Sequence, residues 1–199
     1  MLRWIKNLFK NREKQDPLKI PFPVKTFSHL TIELPFQLSF QEFAHHEAGH
    51  AVMARYFGVR TIRVSSKQVA NLKESEHSKT PQQRAMIAYG GYVAHCIYGQ
   101  RHVEPMIFDR YGWHAGFQHT SETGHPDGDY KHINEVLRVL NLSRDAQQNI
   151  SLECLQMTEK ILRHNWVVVI HVADAISQEE ILNEARINEL FTIKPIQPI

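Results

Sequence analysis

The 199-residue sequence predicts a mainly α-helical domain with a small β element. Three observations carry that expectation. Long stretches, among them 42–57, 81–99 and 143–162, repeat apolar residues at helical spacing. Only short stretches alternate, Leu30 to Leu34 and Val59 to Val64. Start and stop signals bracket the helical stretches: Ser39 with Glu42, Gly58, and Thr80-Pro81.

Composition narrows the class. Hydrophobic residues are 42% and charged residues 22%, ordinary for a globular chain of one domain, or a domain with a tail. The net charge of +2 gives no reason to expect nucleic-acid binding by the whole chain. The charge is uneven, however. Residues 1–25 hold seven basic and two acidic side chains, so the remainder is slightly acidic. Cys96 and Cys154 lack the spacing of a disulfide framework or a cysteine-type zinc site, and a reducing cytoplasmic setting is expected. The longest apolar candidate, Trp166 to Ala173, is short of the roughly 20 residues of a membrane span and contains His171. Charges interrupt the apolar stretches of the N-terminus, so no secretory signal is expected.

Taken in order, residues 1–10 set Leu2, Trp4, Ile5, Leu8 and Phe9 at helical spacing, flanked by Arg3, Lys6 and Lys10. This suits a short amphipathic helix on an anionic membrane surface, on a partner protein, or on its own domain. Residues 11–25 carry Pro17, Pro21 and Pro23 and are expected to be a linker. The expected domain is 26–192, with 193–199 a tail marked by Pro195 and Pro198. Leu30 to Leu34 is expected to be a strand or extended arm. Ser39 is an N-cap with Glu42 as its capping-box partner, and the helix they open runs to about Phe57, ended by Gly58. Val59 to Val64 is expected as a strand, and the polar run Asn71 to Pro81 as a loop.

Pro81 opens the next helix at its first position. Gly90-Gly91 inside that apolar helix weakens it, and such a pair signals close approach by another backbone or a ligand. The expected neighbour is the preceding helix, which has Ala44, Ala48, Gly49 and Ala51 of its own. Arg101 to His125 has little periodicity and is expected to be a long loop. From Asp129 a helix face follows in Ile133, Val136, Leu137 and Leu140, which puts Asp129 at a helix N-terminus, where a carboxylate is favoured. Ser143 to Leu162 and Asn165 to Ile176 are expected as helices, and Ser177 to Glu180 as the start of a last one.

The chemistry concentrates in His46-Glu47-Ala48-Gly49-His50. Residues four apart lie on one helix face, so His46 and His50 can direct two imidazoles at one metal ion. Zinc accepts neutral imidazole, and catalytic zinc keeps a position for water. Glu47 stands beside the first ligand and can take a proton from that water. This is the logic of H-E-x-x-H metallopeptidases. Phe43, Ala51, Val52, Ala54 and Tyr56 give the helix an apolar side, and two histidines on a buried helix need partners.

The sequence resembles the zinc peptidase domain of the FtsH family of AAA-type proteases, over roughly residues 40–190. His46 to Val52 resembles that family's H-E-A-G-H-A block, and Ala88 to Gly99 its second helix with Gly-Gly. Gly124 to Ile133 resembles the segment that supplies its third zinc ligand, and Ile161 to Trp166 its C-terminal helical part. The resemblance implies a mostly helical, zincin-like fold with a small β element. It also implies one zinc ion per chain on His46, His50 and Asp129, with Asp127 the alternative third ligand, and Glu47 as general base. It departs from the family in having no phosphate-binding G-x-x-x-x-G-K-[ST] loop, so this chain is not expected to bind ATP. Tyr92, His95 and Cys96 replace the family's usual residues after the glycines, and His95 is either a neighbour of the site, an alternative ligand or a core histidine.

The expected function is therefore an ATP-independent zinc metalloendopeptidase that acts on peptides or unfolded protein segments. The alternative is a catalytically silent, zinc-stabilised binding or regulatory protein that docks through its basic N-terminus. Its expected place is the cytoplasm, with residues 1–10 as a contact to membrane or partner. No specific nucleic-acid recognition is expected, because no recognised motif accompanies the basic segment.

Overall fold

The computed structural model describes residues 39–66, 68–101, 103, 107–109, 112–114 and 126–199. For residues 107–109, 112–114, 126–128, 130 and 131 it describes the backbone alone. The expected N-terminal amphipathic helix, the linker and the Leu30–Leu34 strand lie outside the described residues.

The elements in chain order are α1 (Phe40–Tyr56), β1 (Thr61–Ser65), β2 (Val69–Asn71), α2 (Lys73–His77), α3 (Pro81–Tyr98), β3 (Ile107–Asp109) and β4 (Gly112–His114). They continue with α4 (Pro126–Arg138), α5 (Arg144–His164), α6 (Trp166–Glu179), β5 (Ile181–Asn183) and α7 (Glu184–Ile193). The fold is mostly helical with a small three-stranded sheet, as expected. Among the described residues no helix is long and apolar enough to cross a membrane.

Helix α1 sits at the centre. Ser39 accepts from the Glu42 N–H at 3.2 Å, and the Ser39 N–H donates to the Glu42 carboxylate at 2.7 Å, which completes the expected capping box. Gly58, at φ +68°, turns the chain out of the helix at the expected place. Every residue from Ala44 to Ala54 is buried. A helix covered all round needs neighbours on several sides, and α1 packs on α3 and on α6.

Its contact with α3 explains the glycines. A Cβ on Gly49 would lie 2.2 Å from the Gly90 carbonyl oxygen, and one on Gly90 would lie 2.7 Å from the Gly49 carbonyl oxygen. The two backbones touch, as the Gly-Gly pair predicts. Thr80 caps α3 through a second reciprocal box with Gln83. Helix α5 fastens the other side of α3: the Thr158 hydroxyl donates to the Met86 carbonyl at 3.3 Å, and Tyr89 and Ser151 share a buried hydrogen bond.

The sheet runs β2-β1-β5, all antiparallel. Val64 of β1 pairs with Leu182 of β5, and both are fully buried. Four expectations are corrected. Asn71 to Pro81 is not a plain loop: β2 ends at Asn71 and the short α2 follows. Glu180, at φ 57°, ends α6, so Ser177–Glu180 closes one helix instead of opening another; the last helix begins at Glu184, capped by Asn183. Strand β1, expected from Val59, starts two residues later, at Thr61. Within Arg101–His125 the backbone of β3 pairs with β4 in a short ribbon; apart from Arg101, Val103 and these strands, that segment lies outside the described residues. The proline-marked tail is held as well. Asn165, between α5 and α6, accepts from the Gln197 N–H at 2.7 Å and donates to the Gln197 carbonyl at 3.0 Å.

Candidate metal centre

Three elements meet at one point. Helix α1 brings His46 and His50, α4 brings Asp129, and α3 passes beneath with Gly91. His46 Nε2 and His50 Nε2 are 3.1 Å apart, and Asp129 Oδ2 lies 3.1 Å from the first and 3.0 Å from the second. The structure thus brings together the two sequence-predicted histidines and Asp129. The side chain of the alternative, Asp127, lies outside the described residues. Helix α4 begins three residues before the expected start, so Asp129 lies within its first turns and not at its cap.

The donor chemistry of this triangle is informative. His50 Nδ1 is 2.8 Å from the Ile87 carbonyl oxygen, which can only accept, so Nδ1 carries the proton. Nε2 of a neutral His50 then aims a lone pair at a carboxylate oxygen and at a second imidazole nitrogen. A proton on Nε2 serves two of the three edges; a cation near all three atoms serves every edge. Zinc bonds to nitrogen and carboxylate oxygen are about 2.0–2.1 Å, so donors about 3 Å apart can reach one ion together. Space for it is kept by Gly91: a Cβ there would lie 2.4 Å from His50 Nε2 and 2.5 Å from His46 Nε2. His46, His50 and Asp129 form a group that can hold a metal ion. The histidine side chains are 5% and 10% exposed and that of Asp129 is 25% exposed, so the group opens to solvent on the Asp129 side.

Electrostatics follow from this packing. Burial works hardest against a charge on His50, yet the Asp129 carboxylate, its hydrogen bond, Glu47 and the Ile87 carbonyl together raise its pKa to about 9. Burial likewise opposes ionisation of Asp129, but the two imidazoles hold its carboxyl far below the usual range. Glu47 is 2% exposed, and burial is the main reason its pKa rises to about 7; Asp129 adds to the rise, while His50 and a hydrogen bond from the Val69 N–H oppose it.

Two contacts escape sequence reasoning. The Ile87 carbonyl and the Val69 N–H are main-chain groups, and a main-chain partner leaves no residue signature. His95 is buried, with its ring centroid 6.2 Å from that of His46 and stacked on it at 25°. It is therefore a neighbour of the site, and the metal-holding group among the described residues does not include it.

No protein-family model matches this chain, and a search of curated proteins finds no match.

Proposed function

We propose that this protein is a zinc-dependent, ATP-independent metalloendopeptidase acting on peptides or unfolded protein segments, with a peptidase domain of the FtsH kind. The observation that carries the reading is the convergence of His46, His50 and Asp129 within 3.1 Å of one another, next in sequence to the buried Glu47. Two imidazoles and a carboxylate fit zinc, and the H-E-x-x-H arrangement adds a carboxylate that is not needed as a ligand.

Zinc bound there would polarise a scissile carbonyl and make a water more acidic. The chain's own groups do the rest. Glu47 is buried and accepts a hydrogen bond from the Val69 N–H, and its carboxylate would take a proton from the attacking water and deliver it to the departing amine. The Ile87 carbonyl fixes the His50 ring with Nε2 inward. Among the described residues the Asp129 side is the more exposed flank of the group, and a peptide would approach from there.

The test is casein cleavage by the zinc-loaded full chain beside its Glu47→Gln variant. Cleavage is expected to fall by at least about a hundredfold in the variant, with zinc content unchanged, since a positioned base contributes ~10²–10⁴ in rate. Equal cleavage by both would remove Glu47 from the mechanism. No cleavage by either, with zinc bound to both, would favour the zinc-stabilised binding protein, docking by residues 1–10 to a membrane surface or a partner.

A further inference from the structure

One carboxylate outside the metal group connects two parts of it. Glu76 lies on α2, the short helix that follows β2. Its Oε1 is 3.3 Å from His132 Nε2 on α4 and 4.0 Å from Arg84 Nε on α3. Its Oε2 accepts from Asn71 Nδ2 on β2 at 3.4 Å. Asn71 is fixed in turn by the Thr61 hydroxyl of β1, which donates to its Oδ1 at 2.8 Å. The hydrogen bond from His132 is the main reason the Glu76 carboxyl sits below its ordinary pKa; burial opposes it, and Asn71 and Arg84 reinforce it. Its side chain is 20% exposed, so solvent only partly screens these bonds.

The position of each partner gives the cluster its meaning. His132 comes three residues after Asp129, and residues three apart on a helix share a face. Asn71 comes two residues after Val69 and ends the same three-residue strand. Val69 is the residue whose N–H holds Glu47. Glu76 therefore grips, with one oxygen each, the helix that carries the carboxylate of the metal group and the strand that orients the base. Both elements are anchored elsewhere, β2 by its pairing with β1 and α4 by the buried Ile133, Val136 and Leu137, and Glu76 adds a direct tie between them near the metal group. Strand β2 is a three-residue edge strand, and Asp129 lies on the first turns of α4.

We propose that Glu76 is a positioning residue for the metal centre: it locks α4 to β2 so that Asp129 meets both histidines while Glu47 keeps its bond to the strand. The proposal rests on the metal-binding reading of His46, His50 and Asp129 and extends it. Asp129 must stay about 3 Å from two nitrogens at once. A small slide of α4 along α3 would break that arrangement and leave the histidines where they are.

Cobalt(II) is the probe, because its visible absorption reports coordination number and ligand set without turnover. The full-length chain, Glu76→Gln, Glu76→Ala, His132→Gln and the Glu76→Gln/His132→Gln double variant are titrated with Co(II), and affinity is measured by competition with a chromophoric chelator. Residues that orient metal ligands are worth about 10–100-fold in affinity. Glu76→Ala is expected to lose about that much and to shift and weaken the visible band. Glu76→Gln keeps the size of the side chain and an oxygen for Asn71, so it is expected to fold normally and to lose several-fold. The double variant is expected to lose no more than the worse single one, because both remove the same link. An unchanged band and affinity within twofold, in variants whose melting temperature has dropped, would overturn the proposal and leave Glu76 a mere stabiliser of α2. Additive losses at the two positions would overturn it too. Failure of the unaltered protein to take up Co(II) is a separate outcome, which would end the metal reading and this proposal with it.

Discussion

His45 and His46 are neighbours in sequence with opposite surroundings. One residue on an α-helix is a turn of 100°, so the two imidazoles leave α1 on different sides. His46 faces His50 and Asp129. His45 faces Tyr98 and Trp166, with ring centroids 3.8 Å and 5.8 Å away and planes nearly parallel. Its Nδ1 donates to the Gln41 carbonyl one turn back at 2.7 Å. Burial keeps its pKa below the ordinary value, against the pull of that carbonyl and of Asp174. The His50 pKa, on the other face, is raised to about 9. The same helix thus carries an imidazole used for packing and a pair that, with Asp129, could hold a metal ion. The carboxylate across the gap makes the difference, and burial alone does not: all three histidines are buried.

The sharpest break of this comparison is substitution on each face in turn. His46→Ala is expected to weaken zinc binding by well over a hundredfold, since removal of a ligand exceeds the ~10–100-fold cost of losing the groups that orient one. His45→Gln is expected to change it less than threefold, and competition with a chromophoric chelator measures both. Equal losses would mean that the two faces are not separate.

The glycines divide stability from metal binding in the same way. Gly49→Ala puts a Cβ into the backbone of α3, which cannot give, and is expected to cost about 3 kcal/mol in urea denaturation. Gly91→Ala meets the far ends of the His46 and His50 rings instead of backbone. It is expected to cost about 1 kcal/mol or less in stability and to abolish zinc uptake. Zinc retained at full affinity by Gly91→Ala would show that the ion does not sit where these rings converge.

A pH series tests the charge balance of the same face. In metal-free protein the raised His50 pKa means that the folded state holds a proton the unfolded chain gives up near 6.5. That stabilisation is fully present below pH 6.5 and is lost as pH rises toward 9. Glu47 adds the same sign between 4.5 and about 7, because its charged form is buried. Thermal melting with chelator present is therefore expected to lose on the order of 1–3 kcal/mol from pH 6.5 to 9. Zinc replaces the proton, so the loaded protein is expected to show a flat or rising profile over the same range. A metal-free profile that rises with pH would contradict the charge balance at His50.

Local chemistry made much of this legible in the sequence. The Ser39–Glu42 box, Gly58 and Pro81 act within a few residues, and their helices begin and end where those signals stand. Gly90-Gly91 announced a close contact and its partner. His46 and His50 were readable because helix spacing alone joins them. Asp129 was different: it is 79 residues from His50, and the residues around it indicated only a helix start, so its assignment came through resemblance. Strand β5 was illegible for a physical reason. Three residues cannot display a period, and Ile181-Leu182 extends where β1 offers it an edge. Helix α2 is likewise five polar-rich residues held by bonds to other elements.

The pairing of β1 with β5 also has a consequence for the order in which the protein is made. Arg60 and Glu184, which close the sheet's flank with an ion pair, are 124 residues apart. A ribosome adds about 5–20 residues each second, so β1 waits several seconds for its partner while α1, α3 and Asp129 are already out. The donors for a metal are thus all present before the sheet can close. A newly made chain that meets zinc in that interval would have its centre assembled first and its sheet last, and the ion would serve as the early seam of the fold.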